Sequence, residues 1–464
     1  MTNHLQQNLA LKKVLIIAYH FPPDAAVGAI RPAKFAKYLR EYNWEPLILT
    51  VKERYYDNID PTLLEELKEI LAVRTIKLPT IKDIYLFIKD IYFKKIKSGN
   101  LFIEKQRWIP QVSRLNANTE GIVSRMHRYL NSLFIWLPDE KVGWVIPAFL
   151  RGLYLIRKHK IDSILTTSPP PSVHLVGLLL KIVTNKFWVS DFRDPWVVGQ
   201  KSFLARSKLG DIIEGWLNRK VIEKSDHIVS VTEEMSEMFK KRHQDNLKYK
   251  FFTIRNGYDS NEIKKYLLVK KYSKFTITYA GTFYYGRDPE IFLLSVSELI
   301  KGGHIDRDSM QIQFLGNCRY TDGKSVEQLV TNLNLRDIVK ISDSMPHTET
   351  LQEMAKSHVL LLLAPDQPLQ IPGKVYEYIG LRSFILAVCG EGATTNILKQ
   401  YPKAIMVSPN NLDDMKKAIL TLIAKSNKND KEIVENFSHH DYERKYLTKR
   451  LAMLLERSAY ESKI

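Results

Sequence analysis

Cysteine is scarce in this sequence: among 464 residues there are only Cys318 and Cys389. Two thiols cannot form a disulfide framework, and these two lack the spacing and companion ligands of a zinc site. Long apolar runs are also missing, since the longest stretches, around 175–183 and 359–365, fall well short of the roughly 20 residues of a membrane span. The N-terminal residues lack the pattern of a secretory signal. These absences predict a reducing compartment and a soluble or peripheral protein.

Motifs of several common enzyme classes are absent as well. The sequence contains no GxSxG, Walker A or HExxH pattern, and no arrangement suggests a serine or cysteine nucleophile. Four histidines show no metal-ligand spacing and are more typical of packed or capping side chains: His20, His174, His347 and His358. No repeat of about 20–50 residues occurs, which argues against a solenoid or a propeller. We therefore expect neither a metal nor a cofactor.

What the chain does have is an excess of positive charge. Its 69 lysines and arginines outnumber 51 aspartates and glutamates, which gives a formal net charge of +18 and a pI near 9.5. Such an excess indicates a polyanionic partner, which is nucleic acid, an anionic membrane surface or a phosphorylated small molecule. Because no helix-turn-helix, zinc finger or RNP motif is recognisable, we expect no nucleic-acid partner. A basic nucleic-acid-binding protein without enzyme activity stays the non-enzyme alternative.

Short apolar runs alternate with longer amphipathic stretches, and this alternation is typical of βα units and parallel sheets. In the first half we predict strands at 14–18, 46–51, 161–166, 187–190, 227–231 and 251–255. The pattern then restarts, with strands predicted at 276–280, 311–315, 338–341, 359–363 and 384–388. The sequence therefore predicts an α/β protein with two doubly wound, Rossmann-like domains.

The predicted domains are residues 1–258, with an insertion at about 52–135, then residues 259–438, and a terminal helix over 439–464. The boundary follows the Asn256–Gly257 turn, where a polar, lysine-rich segment begins. Ligands of doubly wound sheets bind at the carboxyl ends of the strands. Residues that directly follow the predicted strands are therefore the first candidates for a functional site.

Two such segments lie in the first predicted domain. The loop after the first strand leads to Gly28, which would let a ligand or a facing backbone approach beside a helix N-terminus. After a later strand, Asp191 and Asp194 flank Arg193, and charged groups in such a place can position a substrate or act as acid and base. The alternatives are a plain connector for Gly28, and an internal Asp–Arg ion pair that braces the loop beside a core Trp196.

Two further segments lie in the second predicted domain. Gly281 begins a glycine-bracketed loop that ends at Arg287, whose guanidinium suits a pyrophosphate. Gly373 and Lys374 stand at a predicted helix N-terminus, which is a natural anion site. One turn further, Glu377 can accept the hydroxyls of a ribose. The alternatives are an ion pair of Arg287 at its own helix start and a glutamate that only complements the helix dipole.

A basic and aromatic stretch occupies residues 71–107. It holds nine lysines and arginines against three acidic residues, interleaved with apolar and aromatic side chains. That composition suits a surface element laid against anionic lipid headgroups. A helix packed on its own domain, with a solvated lysine face, is the alternative.

Taken together, these segments resemble the GT-B glycosyltransferases, specifically the family 4-like bacterial enzymes of surface-polysaccharide type. In the first half the resemblance is carried by Phe21-Pro-Pro…Gly28…Arg31-Pro, Leu137-Pro-Asp…Trp144, Thr167-Ser-Pro-Pro, Asp191-Phe-Arg-Asp-Pro-Trp196, Ser225-Asp-His-Ile-Val and Arg255-Asn-Gly-Tyr-Asp259. In the second half it is carried by Tyr279-Ala-Gly-Thr-Phe-Tyr…Gly286-Arg-Asp-Pro and Ile371-Pro-Gly-Lys…Glu377-Tyr. Each motif is loose, but their order and spacing are fairly specific. The segment from about 51 to 132 matches least well.

The resemblance implies a GT-B architecture, with an acceptor-side first domain and a donor-binding second domain that face a central cleft, and a final helix that returns to the first domain. It implies a metal-independent, usually retaining transfer from a nucleoside-diphosphate sugar to a hydroxyl acceptor, such as a lipid-linked or polysaccharide intermediate of cell-surface glycan synthesis. A cytoplasmic location follows, either free or peripheral on the inner face of the membrane. An anionic membrane surface would then be a partner through residues 71–107.

The resemblance also implies roles for individual residues. Arg287 and Lys374 would contact the diphosphate, and Glu377 would hold the ribose. The remaining donor-binding positions implied are Gly28, Gly281, Thr282 and Gly373. The catalytic or sugar-contacting positions implied are Asp191, Arg193 and Asp194.

Two positions depart from the family pattern. Many members carry a pair of glutamates, and the first of them would fall at Leu369 here. The arginine that often follows the glycine of the first C-terminal strand is replaced by Thr282. The sequence therefore fits a divergent subgroup, and a catalytically inactive member stays an alternative. A second enzyme alternative is a nucleotide-sugar 2-epimerase on the same fold.

Overall fold

The computed structural model describes residues 11–80, 83, 137–196, 208–243, 245–284, 286–426 and 437–456. The chain divides into two compact units, one of residues up to Ile228 together with those from Leu455, and one of Val229–Leu454. The predicted boundary near residue 258 and the return of the terminal helix to the first domain stay predictions.

The first sheet is a seven-stranded α/β sheet. Its strands are β1 Lys12–Ala18, β2 Trp44–Val51, β3 Ala72–Thr75, β4 Ser163–Ser168, β5 Phe187–Phe192, β6 His227–Ser230 and β7 Phe251–Thr253. They lie in the order β3-β2-β1-β4-β5-β6-β7. Because β1 pairs in parallel with both β2 and β4, the strand order reverses beside β1. In sheets of this kind that reversal marks the place where ligands bind.

Helices connect these strands. They are α1 Val27–Leu39, α2 Val145–His159, α3 Ser172–Thr184, α4 Lys208–Lys224 and α5 Glu233–Arg242. The helix α1 begins beside the end of β1, and its N-terminal turn is supported by Asp24, whose Oδ1 accepts from the Ala26 backbone N–H at 3.0 Å. Helix α2 packs against α3, and α3 packs against α4.

The second sheet has six strands of the same type. They are β8 Phe275–Ala280, β9 Met310–Leu315, β12 Val339–Ser342, β13 Val359–Ala364, β14 Phe384–Cys389 and β15 Ala404–Val407, in the order β12-β9-β8-β13-β14-β15. A small antiparallel hairpin, β10 Tyr320–Thr321 with β11 Lys324–Ser325, lies beside it in sequence. Strand β8 pairs in parallel with β9 and β13, so the order reverses beside β8.

The helices of the second half follow the same alternation. They are α6 Ser260–Ile263, α7 Glu290–Lys301, α8 Val326–Asn332, α9 His347–Lys356, α10 Gly373–Gly380, α11 Ala393–Gln400, α12 Leu412–Ser426 and α13 Arg444–Glu456. A short 3-10 helix, His439–Tyr442, precedes α13, so the terminal helix begins a few residues later than predicted. Within the described ranges, no helix is both long and apolar enough to cross a membrane.

The central strands explain the apolar runs in the sequence. In β13, Leu360, Leu362 and Ala364 belong to one buried cluster, whereas Val359, Leu361 and Leu363 belong to another. Alternate side chains of a strand point to opposite faces of the sheet, so a strand with both faces covered reads as a continuous apolar run. The two-domain α/β architecture predicted from these runs is present.

Some elements were missed by the sequence prediction. Strand β3 is a four-residue strand that pairs with β2, although it falls inside the stretch predicted as an insertion. It is too short to give a clear alternation. Most of the basic and aromatic stretch 71–107 lies outside the described residues, so its membrane role stays a prediction.

One buried polar group of the first unit has a measurable consequence. The His174 side chain is fully buried; its Nδ1 lies 2.8 Å from the Thr166 hydroxyl, and its ring packs on Phe192 at 4.2 Å between centroids. Burial lowers the pKa of His174 from 6.5 to about 3. The folded state therefore holds this histidine neutral, whereas the unfolded chain protonates it as the pH falls below 6.5.

We expect His174 to make the first unit less stable in acid. Stability that is complete above pH 6.5 should decline toward pH 3, by about 1.4 kcal/mol per pH unit for one proton. All seven tryptophans precede residue 229, so urea unfolding followed by tryptophan fluorescence reports on this unit. The substitution His174→Gln should reduce the slope of the unfolding free energy against pH by the contribution of about one proton. The exposed His304→Gln is the control, and an equal slope in wild type and His174→Gln would contradict the assignment.

Candidate functional site

At the end of β5, Asp191 is held by a buried network. Arg31 of α1 donates to both carboxylate oxygens, from Nε at 2.9 Å and from Nη2 at 2.7 Å. The Thr167 hydroxyl donates to Oδ2 at 2.7 Å. The Asp191 side chain is completely buried, and Arg31 is only 3% exposed. The ion pair predicted as an alternative is therefore present, but its cation is Arg31, on a different element, rather than the neighbouring arginine.

Arg193 ties together three loops at the same edge of the sheet. Its Nε donates to the Ser168 carbonyl at 2.6 Å, its Nη2 to the Pro169 carbonyl at 3.2 Å, and its Nη1 to the Gly28 carbonyl. A Cβ built on Gly28 would lie 3.3 Å from the Arg193 guanidinium. The glycine at this position therefore lets the guanidinium lie close against the start of α1.

The rest of this predicted segment is divided between surface and core. Asp194 is exposed. Trp196 is buried, as the structural alternative required, and its indole N–H donates to Glu214 at 2.9 Å. Nearby, His20 at the end of β1 lies with its Nδ1 2.6 Å from the Asp24 carboxylate. Of the three predicted catalytic side chains, two are engaged inside the protein and one faces solvent.

The second unit places Lys374 at the end of β8. Lys374 is the second residue of α10, and its Nζ donates to the Ala280 carbonyl at 3.0 Å. The same ammonium lies 3.7 Å from the centroid of the Tyr279 ring. Burial, followed by the like charge of Arg287, lowers the pKa of Lys374 well below its ordinary value. The charged form of Lys374 is therefore poorly solvated and is disfavoured in the free protein, although it lies beside an aromatic face.

Arg287 supplies a second cation nearby. The side chain is 8% exposed and its guanidinium lies over the Tyr284 ring at 4.3 Å. Its Nε is buried and has no hydrogen-bond partner among the described residues. Within the same residues, neither Arg287 nor Lys374 forms an ion pair with a carboxylate. A buried donor without an acceptor is costly, so this site is electrostatically incomplete by itself.

Two glycines give the loop after β8 its shape. Gly281 has φ +139°, and a Cβ there would lie 3.2 Å from the Lys374 Nζ. Gly316 has φ +113°, and a Cβ there would lie 2.4 Å from the Gly281 carbonyl oxygen. Beneath them, the buried Cys318 thiol donates to the same carbonyl at 3.2 Å, and burial raises its pKa to about 12. The backbone therefore folds tightly below Lys374.

The start of α10, by contrast, is open. Gly373 is exposed, and a Cβ there would meet nothing within 4 Å. One turn later, Glu377 lies with Oε1 2.9 Å from the His347 Nε2 at the start of α9. The Glu377 side chain is 26% exposed, so it is oriented by the histidine but still reaches solvent.

Leu369, where the sequence resemblance predicts a glutamate, lies among the described residues. The Leu369 carbonyl accepts from the Thr232 hydroxyl at 2.7 Å. Leu369 and α5 residues line a cavity of about 600 Å³, and the acidic side chains that line it are Glu233, Glu234 and Glu237. Carboxylates are therefore present near this position, although they come from a different part of the chain.

Some of the predicted site residues lie close together in the structure. Within the second unit, the structure brings together Arg287, Lys374 and Gly281, while Thr282 contributes the carbonyl that accepts the Tyr279 hydroxyl at 2.9 Å. Within the first unit it brings together Gly28 and Arg193. The supporting side chains that were not singled out are Arg31, Thr167, Tyr279 and His347. All of them except His347 belong to the motifs that carry the sequence resemblance, and that membership could have identified them.

The arrangement in the second unit can bind an anion. It combines a permanently charged guanidinium, an ammonium and the N-terminus of an eight-residue helix, all close to glycine backbone. An anion would neutralise two like charges that repel each other.

Comparisons with known proteins bear on the fold. The sequence matches no protein-family model and no curated protein. Among solved structures, HepE from Anabaena in complex with UDP is similar at a TM-score of 0.60 and 11% identity, over 96% of this chain and 100% of that one. A sucrose-phosphate synthase from Thermosynechococcus elongatus is similar at a TM-score of 0.58 and 14% identity, over 97% and 100%.

A third similar structure is described as a putative UDP-N-acetylglucosamine 2-epimerase from Listeria monocytogenes. It gives a TM-score of 0.54 at 12% identity, over 97% of both chains. At such identities the likeness concerns the fold alone. The fold predicted from sequence, a GT-B architecture with two parallel-sheet α/β domains, is confirmed.

The Arg31–Asp191 pair leads to a prediction that separates a structural from a catalytic role. Replacing Asp191 by Asn should destabilise the first unit by about 3–5 kcal/mol, because it leaves a buried guanidinium without its carboxylate. Tryptophan-monitored urea unfolding measures this loss. As a control, Glu69→Gln breaks the exposed pair with Arg40 and should change the unfolding free energy little. Unchanged stability of Asp191→Asn together with lost activity would instead assign Asp191 to catalysis.

Proposed function

We propose that this protein is a glycosyltransferase that moves a sugar from a nucleoside-diphosphate sugar to a hydroxyl acceptor. The observation that carries the proposal is a pair of cations, Arg287 in the loop after β8 and Lys374 at the start of α10. A diphosphate carries two adjacent groups of anionic oxygens, so it can engage a guanidinium and an ammonium at once. The likeness in fold to HepE, whose structure holds UDP, supports the same assignment.

The electrostatics of Lys374 suit a leaving diphosphate. Because burial and Arg287 lower its pKa, the ammonium is destabilised in the free protein. The negative charge of a bound diphosphate stabilises the ammonium and raises the pKa of Lys374 again. As the bond from the sugar to the diphosphate breaks, negative charge grows on the phosphate oxygens, and the two preplaced cations stabilise it. No metal ion is assigned a part in this transfer.

The other donor contacts follow from position. Glu377, held by His347, faces solvent one turn inside α10, where its carboxylate can accept ribose hydroxyls. The open space above Gly373 lets phosphate oxygens approach the helix N–H groups. We also propose that the transferred sugar keeps its anomeric configuration, because the sequence resembles enzymes that are usually retaining.

The acceptor side belongs to the first unit. We assign it a lipid-linked or polysaccharide intermediate of cell-surface glycan synthesis, bound near Gly28 and the Asp191–Asp194 loop. The exposed Asp194 is the acidic side chain of this loop that an acceptor hydroxyl can reach. The basic and aromatic stretch 71–107 would contact an anionic membrane that carries such an acceptor.

A nucleotide-sugar 2-epimerase is the second candidate, favoured by the similar fold of the Listeria protein. Both candidates need the diphosphate site, but only a transferase needs an acceptor. Incubating the purified protein with nucleotide sugars alone distinguishes them. Appearance of an epimerised sugar nucleotide without an acceptor would support the epimerase and contradict the transferase.

The cation pair gives a direct test of the proposal. Lys374→Met and Arg287→Met should each weaken UDP binding by about tenfold to a hundredfold, since one charge-assisted hydrogen bond contributes about 1.5–3 kcal/mol. Titration calorimetry with UDP measures the affinity. Wild-type affinity should also fall as the pH rises, beginning below the ordinary lysine range, and Lys374→Met should lose that dependence.

The matched control is Lys417→Met, which removes an exposed lysine of the same unit. It should bind UDP as the wild type does. Equal affinity of the wild type and both site variants would place the nucleotide elsewhere and remove the basis of the proposed function.

Glu377 gives a second, kinetic test. Glu377→Ala should raise the donor KM or abolish transfer, because the ribose loses its acceptor. His347→Ala should have a smaller effect in the same direction, since it only orients the carboxylate. Initial rates over a range of donor concentrations separate KM from kcat. The exposed Glu349→Ala is the control, and donor kinetics of Glu377→Ala equal to the wild type would exclude the ribose role.

A further inference from the structure

Three neighbouring helices of the first unit expose a surface of unusual composition. In α2, the large exposed apolar side chains are Ile146, Leu150 and Tyr154, at 52%, 59% and 46% exposure. In α4 they are Leu209, Ile212 and Trp216, at 47%, 67% and 55%. Spacings of four residues in α2, and of three and four in α4, place each set on one side of its helix. These are two exposed apolar stripes.

Helix α3 lies between the two stripes. It packs against α2 on one side and α4 on the other. Its exposed residues are Ile182 and Val183, at 63% and 52%. The apolar side chains of the three helices thus belong to adjoining elements of one layer. Exposed apolar groups are normal when scattered, but a group of this size marks an interaction surface.

The charged residues of these helices are sorted by sign. All three helices are fully described, and the exposed charged residues in them are basic: Arg151, Arg157, Lys158, Lys208, Arg219 and Lys224. Neither α2 nor α3 contains an acidic residue. A surface formed by chance would mix both signs, as most of a soluble protein's surface does.

The acidic residues of α4 are buried or only partly exposed. Glu214 is buried, where it accepts from the Trp196 indole. Glu223 pairs with Lys220 at 2.8 Å, and Asp211 is partly buried. The outward composition of the three helices is therefore apolar and cationic, which the overall charge of the sequence does not reveal.

One part of the surface is a shallow groove. Its volume is about 450 Å³, and its lining is Leu150, Leu153, Tyr154, Arg157 and Lys158. Apolar side chains form one part of this lining and cationic heads the other. The Arg151 guanidinium lies 4.9 Å from the Tyr154 ring centroid, and the Lys158 ammonium 5.5 Å from it. A phosphate with an adjoining acyl chain has the complementary composition.

We propose that the exposed side of α2, α3 and α4, here called the three-helix face, docks on an anionic lipid bilayer. Tyr154 and Trp216 lie at the headgroup level, where amphipathic rings are stable. The isoleucine and leucine side chains enter the acyl boundary, and the basic residues contact lipid phosphates. The charge complementarity selects this occupant over a second copy of the chain, because two such faces would repel each other. This docking does not depend on the proposed transferase activity.

Vesicle co-sedimentation of the full chain tests the docking. Wild type should sediment with vesicles of phosphatidylcholine and phosphatidylglycerol, and far less with phosphatidylcholine alone. Ile212→Glu with Trp216→Glu should weaken binding at least about tenfold, since it places charge at the acyl boundary. Arg151→Ser, Arg157→Ser and Lys158→Ser together should weaken it by about fivefold per residue.

The controls lie in the second unit. Leu268→Glu changes a side chain that is 97% exposed, and Lys417→Ser removes an exposed lysine. Both should bind vesicles as the wild type does, and circular dichroism should show all variants folded. If wild type fails to bind anionic vesicles at low ionic strength, the proposal is overturned.

Three further outcomes would also overturn the proposal. Equal losses in the face variants and in the controls would show adsorption without a defined face. A wild-type dimer that Ile212→Glu with Trp216→Glu converts to a monomer would assign the face to a second copy. Binding that survives those substitutions but disappears on replacing Lys94, Lys95 and Lys97 would assign the membrane contact to the stretch 71–107 instead.

Discussion

Parallel pairing on both sides of a fully covered strand is the constraint on which this structure depends. It applies to β1 in the first unit and to β8 in the second. Such a strand has no edge and no solvent-exposed face, so only its carboxyl end is available for polar contacts with a ligand. The two polar clusters follow from this. Asp191 and Arg193 gather beside the end of β4, the strand next to β1, while Lys374 reaches the end of β8.

The two clusters nevertheless differ in their electrostatic balance. In the first, a carboxylate faces a guanidinium in bidentate geometry, and the second guanidinium donates to three backbone carbonyls. That cluster is complete and acts as a brace. In the second, two cations lie close together and the buried Nε of Arg287 has no partner among the described residues. The contrast explains why the proposed diphosphate site lies in the second unit.

The sequence was sufficient for the architecture because β13 and β1 read as apolar runs bounded by turns. It was also sufficient for the candidate positions Arg287, Lys374 and Glu377, because their motifs follow strands. It could not supply the partner of Asp191, since Arg31 is 160 positions away and only the fold brings it near. Nor could it locate the exposed charge: Glu214 and Lys208 count equally in composition, yet one is buried and the other faces solvent. Strand β3 was missed because four residues give too little pattern.

The contrast between the glycines near Lys374 has a consequence for how this site can change in evolution or in the laboratory. Gly316 and Gly281 are in backbone conformations that favour glycine, and a side chain on Gly316 would collide with the Gly281 carbonyl, so these positions tolerate no diversity. A Cβ on Gly373 would meet nothing within 4 Å, so a small side chain there would not disturb the backbone. A side chain at residue 373 would instead narrow the approach to the start of α10, while the glycine backbone near Lys374 stays unchanged.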